Sequence, residues 1–392
     1  MPTLNLLTLN ICVHLPGGRN AYNISLVKNS VLLTLVVLNT LPPALPLPFY
    51  PPLSPACKVL FHASSLLLSL LIGQPLSLLL SGLIYQLRRS SFSEFKRERI
   101  DHLYDSDELG RFDLVAVQEL YGGWAPGSRY YQGYMRRQCT RKGLVHSRTA
   151  GFPVLPRIIF DQGLAIFSRH PIVRSERLIF KRQSIWDYLF VARACLYAEI
   201  DVGGGKTVHC FTVHTAPSLK DMQERTPLAR LLKENVPTVQ QQANEIADFV
   251  RRMTKTGYGS RESGGQAVTV CLGDFNIQAG TDDYEHLAAQ LGASKQLNLR
   301  DISYKTSKTG ERKWESTFGR LREGSSEEPS ETLLTSPGLR GKPQTLDFIF
   351  VGEEAQKDGE AEVHPFYSVK EEDKKHWQQV SDHCGLSCKI KF

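Results

Sequence analysis

The chain has 392 residues and a formal net charge of +7, long enough for one large α/β domain or two smaller ones with a full apolar core. The first 93 residues hold five basic residues and no acid, which leaves 42 basic against 40 acidic groups in the other 299. That balance argues against the concentrated basic surface of a nucleic-acid binder, and eight cysteines without a CxxC pair or Cys/His cluster argue against zinc or a small disulfide framework.

In chain order, LNLLTLNI (4–11) reads as a buried strand that ends in a polar residue, Asn10. The next stretch, from about 24 to 91, is unlike the rest. Residues 29–87 contain one charged residue, Lys58, and LPPALPLPFYPPLSP (41–55) cannot be helical, because proline lacks the amide and clashes with the preceding turn. The run 66–87 is long enough to span a bilayer and ends at Arg88-Arg89. Leu, Pro, Ser and Phe also have pyrimidine-rich codons, and Gln86 fits the CAG that closes an intron. Residues 24–91 therefore read as a translated intron, a membrane segment at 66–87, or a lipid-facing amphipathic element. A signal peptide is not expected, since the apolar run begins after a strand.

From Ser93 the pattern is regular. EFKRERIDHLY reads as an amphipathic helix and FDLVAVQEL as a buried strand. QGLAIFSRHPI, ACLYAEIDV, TVHCFTVHT and AVTVCLGDFNI are further strands, and QQQANEIADFVRRM has helical spacing. TLDFIFV and HCGLSCKIKF close the chain as strands, while 259–266 and 322–344 are rich in Gly, Ser and Pro and read as loops. The cysteines within the strands behave as small hydrophobes, which favours a reducing compartment. YGGWAPGSRYYQGY (121–134) and SIWDYLF (184–190) place Trp and Tyr in loops near strand ends, suited to a membrane interface. Strands and helices mixed along the chain imply a layered domain with its chemistry at the strand ends.

The polar residues there are Asn10, Glu119, His214, Asp274 with Asn276, Asp347, and Asp382 with His383. A buried carboxylate or imidazole is unfavourable unless it is paired or coordinates a metal. One such residue is ordinarily a cap or turn former; so many, each closing a strand, point to a shared site.

The ordered series LTLN, VAVQE, GLAIFSRHPI, FTVHT, GDFN, LDFIF and SDHCGL resembles the endonuclease/exonuclease/phosphatase superfamily. The resemblance implies the deoxyribonuclease-like fold, an α+β four-layer sandwich of two stacked mixed β-sheets flanked by helices. It also implies a single catalytic domain over 1–392, interrupted by 24–91. By the same resemblance Asn10 and Glu119 hold a divalent metal, normally Mg2+, as one or two ions, with Asp382 beside it. His383 acts on the water nucleophile, Asp347 orients it, Asp274 and Asn276 position the nucleophile and stabilise the pentavalent phosphorus, and His214 contacts the phosphate and assists the leaving group.

The surrounding strings ARACLYAEI, FTVHTAPS, QQQANEIADFV and ETLLTSPGL resemble the neutral sphingomyelinase branch. That branch implies hydrolysis of sphingomyelin to ceramide and phosphocholine at a membrane surface. A monomer, cytoplasmic or membrane-associated, is expected, and the charge balance disfavours a nucleic-acid partner. Arg193-Ala194 stands where the branch has Lys-Gly, and HTAPS where it has HTQAS. An endonuclease or inositol-phosphate phosphatase of the same fold, and a non-catalytic membrane-tethered protein, remain as alternatives.

Overall fold

The computed structural model describes residues 3–13, 96–105, 108–122, 130–151, 161–183, 192–217, 235–256, 266–292, 297–335, 338–358, 360–368 and 378–391. The apolar segment 24–91, with its candidate span 66–87, lies outside the described residues, as does 184–190. No helix among the described residues is long and apolar enough to cross a membrane.

Two sheets carry the molecule. In the first, β1 (Thr3–Val13) runs parallel to β2 (Leu114–Leu120) and antiparallel to β15 (Gly385–Lys391). The sheet extends through β4 (Ala165–Ser168) to β3 (His146–Thr149) on one side. On the other, β13 (Gln356–Lys357) and β14 (Glu362–His364) both pair with β15. The second sheet has the order β5 (Ile172–Ile179), β6 (Ala194–Gly203), β7 (Lys206–His214), β8 (Gln266–Asp274), β12 (Asp347–Val351), β9 (Arg300–Asp301), with β7 and β8 parallel. A small ribbon, β10 (Lys305–Thr306) with β11 (Arg312–Lys313), stands apart.

The period-two alternation of strands explains the layers. On β1, Leu4 and Leu6 face the inter-sheet core, which also takes Leu114, Ala116, Val208, Cys210, Val268, Val270, Leu272 and Ile349. Leu7, Leu9 and Ile11 face outward and pack under α1 (Lys96–Asp105) and α2 (Tyr130–Arg141). On the far side, Phe211, Cys271, Phe348 and Phe350 pack under α3 (Asn235–Lys255) and α4 (Asp282–Gly292). Val239, Ala243, Ile246, Ala247 and Val250 make one apolar stripe of α3 at helical spacing. The result is the expected α+β sandwich of helix, sheet, sheet and helix layers.

Two expectations change. QGLAIFSRHPI is two strands rather than one: β4 belongs to the first sheet and β5 to the second, with a bend at Arg169-His170 between them. Pro171 supplies no amide at that crossing. In the aromatic stretch 121–134, residues 123–129 lie outside the described residues, and Tyr130, Tyr131 and Tyr134 belong to helix α2 rather than to a loop. Met135 and Cys139, just beyond that stretch, bury the helix against the sheet. Cys384 and Cys388 are free and buried, as are Cys139, Cys195, Cys210 and Cys271.

Candidate active site

The inner face of each central strand changes from apolar to polar toward one end. On β1 it reads Leu4, Leu6, Thr8, Asn10; on β7, Val208, Cys210, Thr212, His214; on β8, Val268, Val270, Leu272, Asp274. β12 runs the opposite way and contributes Val351, Ile349, Asp347. The site is therefore the polar end of the inter-sheet core. His214 pairs in register with Asp274, and Asp274 with Asp347, which sets three side chains side by side across adjacent strands.

Asp274 is the hub. Its Oδ1 accepts the Asn276 amide at 2.8 Å, a local turn that Asp-x-Asn favours. Its Oδ2 accepts Asn10 Nδ2 from the opposite sheet at 3.0 Å and Asn276 Nδ2 at 3.3 Å. Burial pushes this carboxyl up to about 7; His383 draws it down, while Asp347 and Glu119 push it up. Gly273 precedes it at φ 143°, and a Cβ there would lie 2.2 Å from the Val213 carbonyl oxygen, so only glycine lets β7 and β8 approach.

His383 stands in the turn before β15. Its Nδ1 is 2.9 Å from Asp347 Oδ2, and its Nε2 is 3.7 Å from Asp274 Oδ2. Burial alone would lower its pKa, but Asp347, Asp274 and Asp382 together override burial and raise it to about 10. Phe318 packs against the ring at 4.9 Å between centroids. Asp382 is buried next to His383, with Ser381 Oγ 3.4 Å from its Oδ1.

Glu119 breaks the alternation. With Leu114, Ala116 and Gln118 facing inward, position 119 should face out, yet its φ of 59° turns the carboxylate to within 3.7 Å of His214 Nε2. A left-handed glutamate is unfavourable unless its surroundings fix it. Here Leu120 N donates to Gly163 O at 2.9 Å. Gly163, at φ 65°, has no room for a Cβ between Glu119 and the Tyr121 ring. Asp161 secures that corner by accepting from Gly122 N, Gly163 N and Gln132 Nε2 at 3.0, 2.8 and 2.6 Å.

The strand-end pattern had no signal for several supports. Gln118 Nε2 bridges the sheets from Thr8 Oγ1 (3.0 Å) to Thr212 Oγ1 (2.8 Å). Thr317 Oγ1 accepts the amides of Leu346 and Asp347, and Ser381 Oγ donates to Asn10 O. Arg193, visible in sequence only as a departure, places Nη1 3.0 Å from His214 Nδ1.

Among the described residues, two groups could hold a cation: Glu119, His214 and Asp274, and Asp274, Asp347 and His383. Glu119, Asp274 and Asp347 are three buried carboxylates, and Asp347 Oδ1 has no hydrogen-bond partner among the described residues. This crowd of carboxylate oxygens, with the Asn10 amide beside it, fits a hard divalent cation. Asp382 lies outside both groups.

A sphingomyelinase from Dictyostelium discoideum is 23% identical over 282 residues, covering 62% of this chain and 58% of that protein. The chain thus spans under two thirds of that relative's length. Among solved structures, a beta toxin from Staphylococcus aureus is similar at TM-score 0.50 with 19% identity, over 75% of this chain and 92% of that one. Sphingomyelinase C from Streptomyces griseocarneus gives 0.49 with 14% identity, over 75% and 91%. The Endonuclease/Exonuclease/phosphatase family matches residues 89–383, which is more than half of the chain, and the protein belongs to that family.

Proposed function

We propose that the protein is a magnesium-dependent phosphodiesterase that hydrolyses sphingomyelin to ceramide and phosphocholine. The observation that carries the reading is the buried Asp347–His383 pair at 2.9 Å, aimed at Asp274 on the neighbouring strand. Asp347 accepts from Nδ1 and fixes the ring so that Nε2 faces Asp274. A water on that side gives its proton to Nε2 as its oxygen attacks phosphorus. Asp274 and Asn276, locked to each other, position that water and the phosphoryl group. His214 and Arg193 stand on the other flank, where they meet the phosphate oxygens and the departing ceramide alkoxide. Asn10 and Glu119 would hold the cation, and Asp382 adds to the negative charge around His383. When bound, the cation would supply positive charge against the growing phosphate charge and offset the carboxylate charge that raises the His383 pKa, favouring the neutral, basic form of that ring. The named sphingomyelinase relative supports the choice of lipid, and a monomer working at a phospholipid surface fits it.

The test is magnesium-dependent release of phosphocholine from sphingomyelin vesicles, with plasmid nicking and inositol-phosphate dephosphorylation run in parallel. Phosphocholine release abolished by a chelator and restored by Mg2+ is the expected result. Nicking or dephosphorylation without phosphocholine release would replace the lipid substrate while keeping the chemistry; turnover of none would overturn the enzyme reading.

A further inference from the structure

The near-neutral charge of the chain after residue 93 conceals one asymmetry. Between Glu119 and Asp161 there is no acidic residue and there are seven basic ones. Helix α2 stands in the middle of this stretch. Met135 and Cys139 bury its inner side against the first sheet, while Arg136, Arg137 and Arg141 are exposed. Tyr130, Tyr134, Arg137 and Arg141 recur at i, i+4, i+7 and i+11, a single stripe about 16 Å long at the rise of an α-helix. Arg97 of α1 adds to it, 5.4 Å from the Tyr134 ring centroid, with Arg137 5.7 Å away from the same ring. Tyr130 is 45% exposed and stacks on Tyr134 at 5.8 Å.

An ordinary solvated helix intersperses acids among such bases; this one has none. The adjacent carboxylate, Asp101, already receives the Tyr134 hydroxyl and Gln138 Nε2 and lies 3.8 Å from Arg97. Arg136, Arg137 and Arg141 pair with no described carboxylate. The stripe also has a fixed relation to the catalytic rim. Gln132, in the first turn of α2, donates to Leu120 O at 3.0 Å, one residue from Glu119. The tyrosine end of the stripe therefore abuts the strand that presents the Glu119 carboxylate.

We propose that the α2 stripe, with Arg136 and Arg97 beside it, is a docking face for an anionic lipid bilayer. The arginines complement the negative headgroups, the exposed tyrosine suits the polar–apolar boundary, and docking there sets the catalytic rim against the lipid. A nucleic acid would answer to the same charge, but the arginines lie on the outer helix layer rather than along the inter-sheet cleft where the site opens. The inference deepens the lipid reading of the site, and its test does not depend on that reading.

The test is co-sedimentation of the full chain with vesicles free of sphingomyelin, composed of phosphatidylcholine alone or with a third phosphatidylserine. Wild type should prefer the anionic vesicles, and salt should weaken that preference. Replacing Arg136, Arg137 and Arg141 together by alanine should reduce the preference roughly a hundredfold, at about fivefold per exposed arginine near a charged surface. The triple lysine variant should keep most of it. Thermal unfolding and turnover of a detergent-dispersed substrate should be unchanged, which separates docking from catalysis. An alanine variant that keeps the full preference overturns the proposal. So does one that loses binding to duplex DNA while keeping its grip on anionic vesicles, which would make the stripe a nucleic-acid face.

Discussion

Three carboxylates and two imidazoles share one buried end of the inter-sheet core, and their mutual influence decides how the site behaves without a cation. Asp274 at about 7 and His383 raised to about 10 mean that the cluster offsets its negative charge by retaining protons. A divalent cation competes with those protons, so loading should release them and stabilise the fold. The left-handed backbone of Glu119 aims its carboxylate into that cluster. The expected outcome for Glu119→Gln follows. Without metal its melting temperature should equal or exceed that of wild type, because one buried negative charge beside Asp274 is gone. The rise in melting temperature on adding Mg2+ should largely disappear, and turnover should fall by roughly a hundredfold or more, at or beyond the upper end for outer-sphere partners of a metal. Thermal melts with and without Mg2+ decide the matter: a variant still stabilised as strongly as wild type removes Glu119 from the cation site.

At the scale of elements, alternation made much of the molecule legible. A strand reading Leu, Leu, Thr, Asn on one face announces a core that turns polar at one end, and β1, β7 and β8 all carry that pattern. The same logic fails at Glu119, where a backbone torsion overrides the side-chain period, and in GLAIFSRHPI, where one apolar run serves two sheets. It is silent on Gln118 and Thr317, whose roles depend on partners at 94 and 30 residues' separation, Thr212 and Asp347. It is also silent on His209, which looks like one more strand residue. His209 faces the outer core of β7, opposite Glu199, with Tyr197 Oη 2.8 Å from its Nδ1. Burial lowers its pKa from the usual 6.5; Glu199 opposes that and Arg174 adds to it. The unfolded chain therefore takes up a proton near pH 6.5 that the folded chain refuses. The associated stability is complete above pH 6.5 and is lost as pH falls through that value toward the lower folded pKa. His209→Gln, which keeps a hydrogen-bonding partner for Tyr197, should lose less melting temperature than wild type between pH 7.5 and 5. Parallel slopes for the two proteins would show that His209 does not contribute to the acid sensitivity.

For the molecule as a whole, the decisive connection is the one between β1 and everything after residue 95. β1 is held in register by β2 on one side, from Leu6–Leu114 to Asn10–Gln118, and by β15 on the other, from Thr3–Lys391 to Thr8–Leu386. Its inward residues join the inter-sheet core and its outward residues join the core under α1 and α2. Such a strand is specified by its neighbours and needs no particular length of chain before α1, because loop-closure entropy grows only slowly with length. Deleting residues 24–91 would leave 14–23 and 92–95 to connect β1 to α1, a linker of fourteen residues able to reach roughly 45 Å. We expect the shortened protein to fold, to keep its Mg2+ response, and to hydrolyse a detergent-dispersed substrate at a rate close to that of the full chain. Membrane fractionation then distinguishes the origins of the segment. If 66–87 anchors the protein, the shortened chain should leave the membrane fraction and lose activity on vesicles, retaining only the salt-sensitive attraction of the α2 stripe. If 24–91 is an accidental insertion, both proteins should fractionate alike and the shorter one should be the more soluble, with a long apolar run removed. A shortened chain that fails to fold would defeat both versions, since it would mean that the segment is part of the core that β1 helps to build.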